Sequence, residues 1–254
     1  MTAILEVENL VKSFGGVHAI RDLSLSIEEG SVEGLIGPNG AGKSTAIEIM
    51  SGFLRPDKGT VRFRGETIQG LAPHRVSRLG LMRSFQLARE WPQLSVLENM
   101  LVAAVDNGRE ALWRALLTPW RLHREQREDR ERVGAILEEF GLYGLRNDMA
   151  GTLSGGQKRL LEFARLVAAK PRLVLLDEPM AGVNPTMGAH IQDAIRRFTE
   201  RGITVMLVEH NLSFVEALCG SVTVMAHGTQ IARGQMATLR LNETVREAYL
   251  GSNV

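Results

Sequence analysis

Apolar residues along the chain change their period twice. In the first third they alternate or run in short blocks, at residues 4–10, 23–27, 32–36 and 61–63. Gly15-Gly16, Glu29-Gly30 and Pro56-Asp57-Lys58-Gly59 separate these blocks. Such blocks, bounded by glycine and proline, predict strands and turns. Residues 42–50 are helix-compatible and stop at Ser51-Gly52, so the predicted order is strand, glycine loop, helix, strand. A further strand is expected at 81–85. From about Glu90 to Lys170 the spacing turns helical, with Val133, Ile136, Leu137 and Phe140 at i, i+3, i+4 and i+7 ahead of Gly141. After Pro171 the short runs return at 173–176, 204–208 and 222–226, with a helical stretch at 185–201, and these runs predict buried parallel strands. The pattern as a whole predicts an α/β core, residues 1–89 and 171–254, interrupted by an α-helical insertion at 90–170 within one domain spanning 1–254.

Composition narrows the chemistry. Lys plus Arg is 30 against 29 for Asp plus Glu, a net charge of +1, so nothing draws the molecule as a whole to nucleic acid or anionic lipid and any anion must be bound locally. With 44% hydrophobic and 23% charged residues, disorder and collagen-like repeats are excluded. The single Cys219 excludes an internal disulfide and any multi-thiolate metal site, and it fits a reducing compartment. Residues 1–6 lack a secretion signal and no window approaches the ~20 apolar residues of a spanning helix, so a role at a membrane is expected from its side. Residues 121–132 are almost wholly charged, but the signs alternate, which predicts a solvated helix face; a basic contact to nucleic acid or lipid is the competing reading.

Three constellations carry chemistry. Gly37-Pro38-Asn39-Gly40-Ala41-Gly42-Lys43-Ser44-Thr45 follows an apolar strand and opens a helix, the context that makes a P-loop credible. Its glycines let backbone N–H groups converge on phosphate, Lys43 reaches the β- and γ-phosphates, and the Ser44 hydroxyl ligates Mg²⁺. Asp177-Glu178 ends an aliphatic strand, where open α/β sheets place ligands; Asp177 would hold Mg²⁺ through water and Glu178 would polarise the attacking water. Leu153-Ser154-Gly155-Gly156-Gln157 leads into a helical stretch with Leu160, Ala164 and Val167 on one face. Ser154 reads as its N-cap, and the two glycines would offer N–H groups to a second anion.

Two phosphate-binding devices in different subdomains are more than one nucleotide obviously needs. The Leu-Ser-Gly-Gly-Gln run between P-loop and Asp-Glu strand resembles the signature of the ATP-binding cassette (ABC) ATPases, and at ordinary composition it would recur by chance in only about a few chains in ten thousand. The resemblance covers nearly the whole chain. It implies a P-loop NTPase core with an N-terminal antiparallel β-subdomain and an inserted helical subdomain. It also implies a head-to-tail dimer in which each ATP lies between one P-loop and the partner's signature. Phe14 then stands at the adenine-stacking position, where Tyr is more usual. Gln86 matches the loop that contacts Mg²⁺ and water and couples to the transmembrane partner, and His210 matches the switch histidine at the γ-phosphate. Taken alone, His210 reads as an ordinary histidine at a strand end. In Gly182-Val183-Asn184 the asparagine departs from the Asp of many relatives, which bears on coupling across the dimer. Glu98 and Asn99 resemble the region facing the permease; Ser95 as an N-cap accounts for the same residues.

Finer similarity, in Phe14-Gly15-Gly16-Val17, Arg83-Ser84-Phe85-Gln86, residues 177–185, Val208-Glu209-His210-Asn211 and Ala248-Tyr249-Leu250-Gly251, points to the LivG-type branch found in branched-chain amino acid importers. Urea and short-chain amide importers carry ATPases of the same branch, and that alternative stays open. The resemblance implies ATP and Mg²⁺ as cofactors and two transmembrane permeases as partners. It implies a second ABC ATPase in a heterodimer, with a homodimer as the other option, and an indirect link to a solute-binding protein. The expected location is the cytoplasmic face of the membrane, with no nucleic acid bound. A non-transport ATPase acting on ribosomes or DNA fits less well, since this chain has one P-loop, no sustained heptads and no strong basic charge. A regulator without turnover conflicts with the presence of both Glu178 and His210.

Overall fold

The computed structural model describes residues 2–84, 90–104, 119–181, 183 and 185–250. Backbone packing divides the chain into two units, Met1–Arg83 with Pro171–Val254, and Ser84–Lys170.

The first unit is built on a ten-stranded sheet in the order β5-β4-β1-β2-β10-β9-β3-β8-β7-β6. Strands β1 (Ala3–Phe14) and β2 (Val17–Glu28) form an antiparallel hairpin across Gly15-Gly16, and β4 (Lys58–Phe63) and β5 (Glu66–Thr67) extend it outward, also antiparallel. The other half is parallel: β3 (Val32–Ile36) lies between β8 (Thr204–Val208) and β9 (Ser221–Ala226), and β7 (Leu173–Asp177) and β6 (Leu81–Arg83) follow beyond β8. Strand β10 (Thr229–Gly234) joins the halves, antiparallel to β9 and parallel to β2 through Thr229 and Asp22. All five residues of β7 and of β8 are buried, which explains why those strands read as unbroken aliphatic runs. Leu5, Leu10, Ile20, Leu35, Ile47 and Phe63 anchor one continuous apolar core, each contributing about 1.5–3 kcal/mol by leaving water.

Helices connect the parallel strands: α1 (Lys43–Met50) follows β3, and α2 (Pro73–Arg78) precedes β6. In the second unit α3 (Val96–Ala104), α4 (Pro119–Glu139) and α5 (Gly155–Ala168) pack against one another. Back in the first unit, α6 (Pro185–Glu200), α7 (Leu212–Leu218), α8 (Met236–Leu239) and α9 (Glu243–Leu250) complete the chain.

Val133, Ile136, Leu137 and Phe140 are buried as their spacing predicts, and Gly141, at φ +68°, ends that stretch. In α5 the apolar face is centred differently from the expected one: Leu161 is fully buried beside Ala164 and Val167, whereas Leu160 is half-buried. Strand β6 stops at Arg83, short of the expected end at 85, because Ser84 already lies in a turn; Phe85 falls outside the described residues. Arg127 and Glu131 pair at 3.0 Å with both side chains largely in solvent, as a solvated charged face requires.

Candidate active site

The phosphate loop grows out of the buried strand β3. Gly42 caps α1 at φ +99°, and a Cβ there would run into the carbonyl oxygen of Ala19; a Cβ on Gly37 would run into that of Met225. Backbone contact thus demands glycine at both ends of the loop. Ala41 is buried and its N–H donates to the Pro38 carbonyl at 3.2 Å, which folds the loop back and leaves Asn39 and Gly40 exposed at its tip. No side chain caps α1 and its first turn holds no acidic residue, so the helix N-terminus is left for an anion. Ser44 is exposed and Thr45 half-buried at that end. Lys43 is buried, and its Nζ donates to the Gly37 carbonyl at 2.8 Å and the Pro38 carbonyl at 3.0 Å. Burial pushes this amine below its ordinary pKa, while the Glu178 and then the Asp177 carboxylates pull it back up. That electrostatic coupling joins the phosphate loop to the Asp-Glu pair in one site.

Parallel strands end their ligand-facing residues at a common edge, and here β7 and β8 are in register with Asp177 opposite Val208. The ladder continues one residue further, since the Glu178 N–H donates to the Val208 carbonyl at 2.9 Å. Glu178 sits at φ +48°, a left-handed conformation rare for a side chain of its kind. His210, two residues past β8, donates from Nε2 to Glu178 Oε1 at 2.7 Å, and both side chains are 44% exposed. A carboxylate and an imidazole are therefore in direct contact at the strand edge that also carries a buried lysine and an uncapped helix terminus.

The sequence model of the ABC transporter family matches residues 20–181. The chain belongs to the ABC transporter family. The cassette is 38% identical to the high-affinity branched-chain amino acid transport ATP-binding protein BraF of Pseudomonas aeruginosa, over 98% of each chain. It is also 38% identical to the probable branched-chain amino acid transport ATP-binding protein LivG of Archaeoglobus fulgidus, over 98% of this chain and 96% of that one. The high-affinity branched-chain amino acid transport ATP-binding protein LivG of Escherichia coli K12 shares 34% identity, again over 98% of each. Among solved structures, a nucleotide-free ATP-binding cassette from an ABC transporter matches with a TM-score of 0.82 at 34% identity, covering 98% of this chain and 99% of that one. A second, in an ADP conformation, matches with a TM-score of 0.82 at 32% identity, covering 99% and 100%. The cassette is accordingly an ATPase of the mixed α/β ABC fold, with ATP as its substrate.

The cassette's donor set suits a Mg²⁺–nucleotide: the exposed Ser44 hydroxyl and the Asp177 carboxylate are hard oxygen donors, and Mg²⁺ is usually held by one or two such groups together with substrate phosphates. One oxygen of Asp177 is already engaged, because Arg83 donates to Oδ2 at 2.8 Å. Phe14 ends β1 with its ring 49% exposed and the Lys12 ammonium 5.5 Å from the ring centre. Asp57 fixes that strand end, accepting from Lys12 Nζ at 2.8 Å and from the Ser13 N–H at 2.7 Å. Both hydrogen bonds hold its carboxyl below the usual range.

In the second unit Ser154 is the N-cap of α5. Its Oγ accepts from the Gln157 N–H at 3.3 Å and Gln157 Oε1 accepts from the Ser154 N–H at 2.9 Å, a closed capping box. Leu153 is buried, Gly156 half-buried and Gly155 exposed; a Cβ on Gly155 would meet nothing within 4 Å, so the chain's own packing does not call for glycine there. Ser95 and Glu98 make the same reciprocal cap on α3, with Glu98 Oε2 accepting from the Ser95 N–H at 2.7 Å. Asn99 is fully buried and ties down its loop, accepting from the Trp91 N–H and donating to the carbonyls of Trp91, Leu94 and Ser95. Gln86, Gly182 and Asn184 lie outside the described residues.

Sequence reasoning passed over Arg83 and Glu209. Arg83 is separated from Asp177 by 94 positions, and only the pairing of β6 with β7 brings them together. Glu209 is 4% exposed and bonded to backbone on both sides; the available signal was a charged residue directly after an all-buried strand.

Proposed function

We propose that this cassette is the ATP-hydrolysing subunit of an importer for branched-chain amino acids. Near-full-length likeness to branched-chain amino acid transport ATP-binding proteins supports the substrate class. The observation that carries the chemistry is the Glu178–His210 hydrogen bond beside Lys43, at the edge where β3, β7 and β8 end.

The phosphates of ATP lie on the backbone N–H groups of Gly40, Ala41, Gly42, Lys43, Ser44 and Thr45, with Lys43 leaving its loop carbonyls for the β- and γ-phosphate oxygens. Phe14 stacks on the adenine. Glu178 orients a water against the γ-phosphorus and takes up its proton as the new P–O bond forms and the bond to ADP breaks. His210 holds Glu178 by Nε2 and stabilises the charge developing near the γ-phosphate. Ser44 and Asp177 would hold Mg²⁺, with Gln86 as a further ligand. When bound, that ion supplies neutralisation of phosphate charge.

Leu153, Ser154, Gly155, Gly156 and Gln157 serve the nucleotide of a second cassette, an assignment supported by the exposed, capped helix start and the open space at Gly155. Residues 1–89 and 171–254 then act as the nucleotide-binding core and residues 90–170 as the arm that addresses the permeases. The partners in this reading are two permeases and a second ABC ATPase, with a solute-binding protein linked only through them. Among the described residues no helix is long and apolar enough to cross a membrane, and the cassette acts peripherally from the cytoplasmic face.

The test is affinity purification of tagged Glu178→Gln protein from detergent-solubilised membranes with Mg-ATP, followed by mass spectrometry. Two very hydrophobic permeases and a second small ATPase are expected, and uptake assays with branched-chain amino acids follow. Co-purification of permeases whose transporter takes up urea or short-chain amides would overturn the substrate, and recovery of ribosomal or DNA-repair proteins without membrane proteins would overturn transport.

A further inference from the structure

Glu209 has no part in the chemistry above, yet its placement is unusual. It follows β8 as Glu178 follows β7, and its side chain is buried. One carboxylate oxygen, Oε1, accepts from the Met180 N–H at 2.7 Å. The other, Oε2, accepts from the His210 N–H at 3.1 Å, with the Asn211 N–H at 3.5 Å. Both oxygens thus face backbone donors.

These donors belong to different loops. Met180 is the third residue of the turn that starts at Glu178, closed by the Ala181 N–H donating to the Glu178 carbonyl at 3.0 Å. The Met180 side chain ends beside Gly188, where an added Cβ would meet its Cε at 2.7 Å. His210 and Asn211 begin the loop after β8, where the Asn211 side chain caps α7. One buried carboxylate therefore ties the turn that carries Glu178 to the loop that carries His210.

That tie answers a physical need. The left-handed backbone of Glu178 is strained for a residue with a side chain and persists only where its surroundings fix it. The Glu178–His210 hydrogen bond, between two half-exposed side chains, is too weakly enclosed to fix it.

We propose that Glu209 is a positioning residue of the hydrolytic site, holding Glu178 and His210 at reacting distance through the Met180 and His210 amides. The inference rests on the roles given to Glu178 and His210 above. In Glu209→Gln the side chain keeps one good acceptor and turns an NH₂ toward a backbone N–H, so one of the two loops is released.

The experiment is steady-state Mg-ATP hydrolysis by the full-length chain in complex with its partner ATPase, together with Mg-ATP affinity from a fluorescent nucleotide analogue. Glu209→Gln is expected to lower kcat about 10–100-fold, the effect of a misplacement near 1 Å, with KM and affinity within about twofold of wild type. Glu209→Asp, which keeps both charged oxygens on a shorter arm, recovers part of the loss. In a His210→Ala background Glu209→Gln costs less than it does alone, because the half of the tie that places His210 no longer counts while the Met180 half that places Glu178 still does. A kcat within about twofold of wild type, a KM that worsens in step with kcat, or a full additive loss in the His210→Ala background would each overturn the proposal. Should circular dichroism show Glu209→Gln unfolded, Glu209→Asp is judged by the same criteria, with lower kcat at unchanged KM in its favour and wild-type kcat against it. A wild-type complex that does not hydrolyse ATP overturns the ATPase reading and this one with it, whereas an active wild-type complex indifferent to position 209 overturns this inference alone.

Discussion

Lys43 is buried and held by two carbonyls of its own loop, but these are hydrogen bonds from a flexible side chain. The loop shape rests instead on Gly37 and Gly42, where a Cβ would strike backbone carbonyls. The two residue types should therefore fail differently. Lys43→Ala is expected to keep the melting temperature within a few degrees while nucleotide affinity, measured by calorimetry, falls about 10–100-fold, the value of one or two charge-assisted hydrogen bonds. Unchanged affinity would contradict the phosphate-loop assignment. Gly42→Ala should lose both affinity and thermal stability, because there the backbone itself must move. A third residue makes a separate statement: burial, with a smaller push from the Glu33 carboxylate, raises the Cys219 thiol to about 12. Thiolate is the reactive form, so at pH 8 native Cys219 should react with a thiol reagent at least about 100-fold more slowly than in the denatured chain. Equal rates would refute the burial.

At the scale of elements, the start of α5 serves two ends with one set of atoms, since Ser154 caps the helix and leads the signature run. Ser154→Ala removes the acceptor for the Gln157 N–H and should cost about 1 kcal/mol of local stability, seen as faster amide exchange at Gln157, whereas Ser154→Asp retains the cap. If exchange at Gln157 does not change, the capping box contributes nothing. This cap was legible in the sequence, as were β3, β7 and β8, because their signals are local: a cap residue before a helical period, or an aliphatic run between breakers.

What stayed illegible depends on partners distant in sequence. The first half of β2, Val17 to Asp22, mixes three apolar and three polar residues and shows no clean alternation; it is a strand because β1 and β10 pair with it. Thr229–Gly234 likewise draws no strand expectation, and becomes β10 through the two-residue turn His227-Gly228, where both residues take positive φ, the geometry of a tight hairpin. The site divides in the same way. Lys43, Asp177 and Ser154 announce themselves by motif, whereas the Arg83–Asp177 ion pair and the bonds of Glu209 exist only because separate strands end at one edge.

For the whole molecule, the decisive fact is that the phosphate loop and the exposed helix start at Ser154, which we propose as a second anion site, are carried by separate compact units, in a chain whose net charge of +1 supplies no general attraction. The phosphate loop has its own lysine and carboxylates, so one triphosphate can be bound without the second device. The signature start has an exposed glycine that meets nothing of its own chain. Two copies of such a chain, or this chain with a similar one, satisfy both devices at once when each signature closes on the other's nucleotide, which makes the γ-phosphate part of the interface. Association should then depend on an unhydrolysed γ-phosphate. Glu178→Gln, which binds ATP but cannot activate water, is expected to double its mass in light scattering with Mg-ATP and the second ATPase present, and to remain monomeric with ADP. Arginine at position 155 should block that doubling while leaving single-chain nucleotide affinity intact, since the side chain would fill the space the partner's nucleotide needs. A Glu178→Gln protein that stays monomeric with Mg-ATP and its partner would sink the paired arrangement, and doubling that survives Gly155→Arg would place the interface elsewhere.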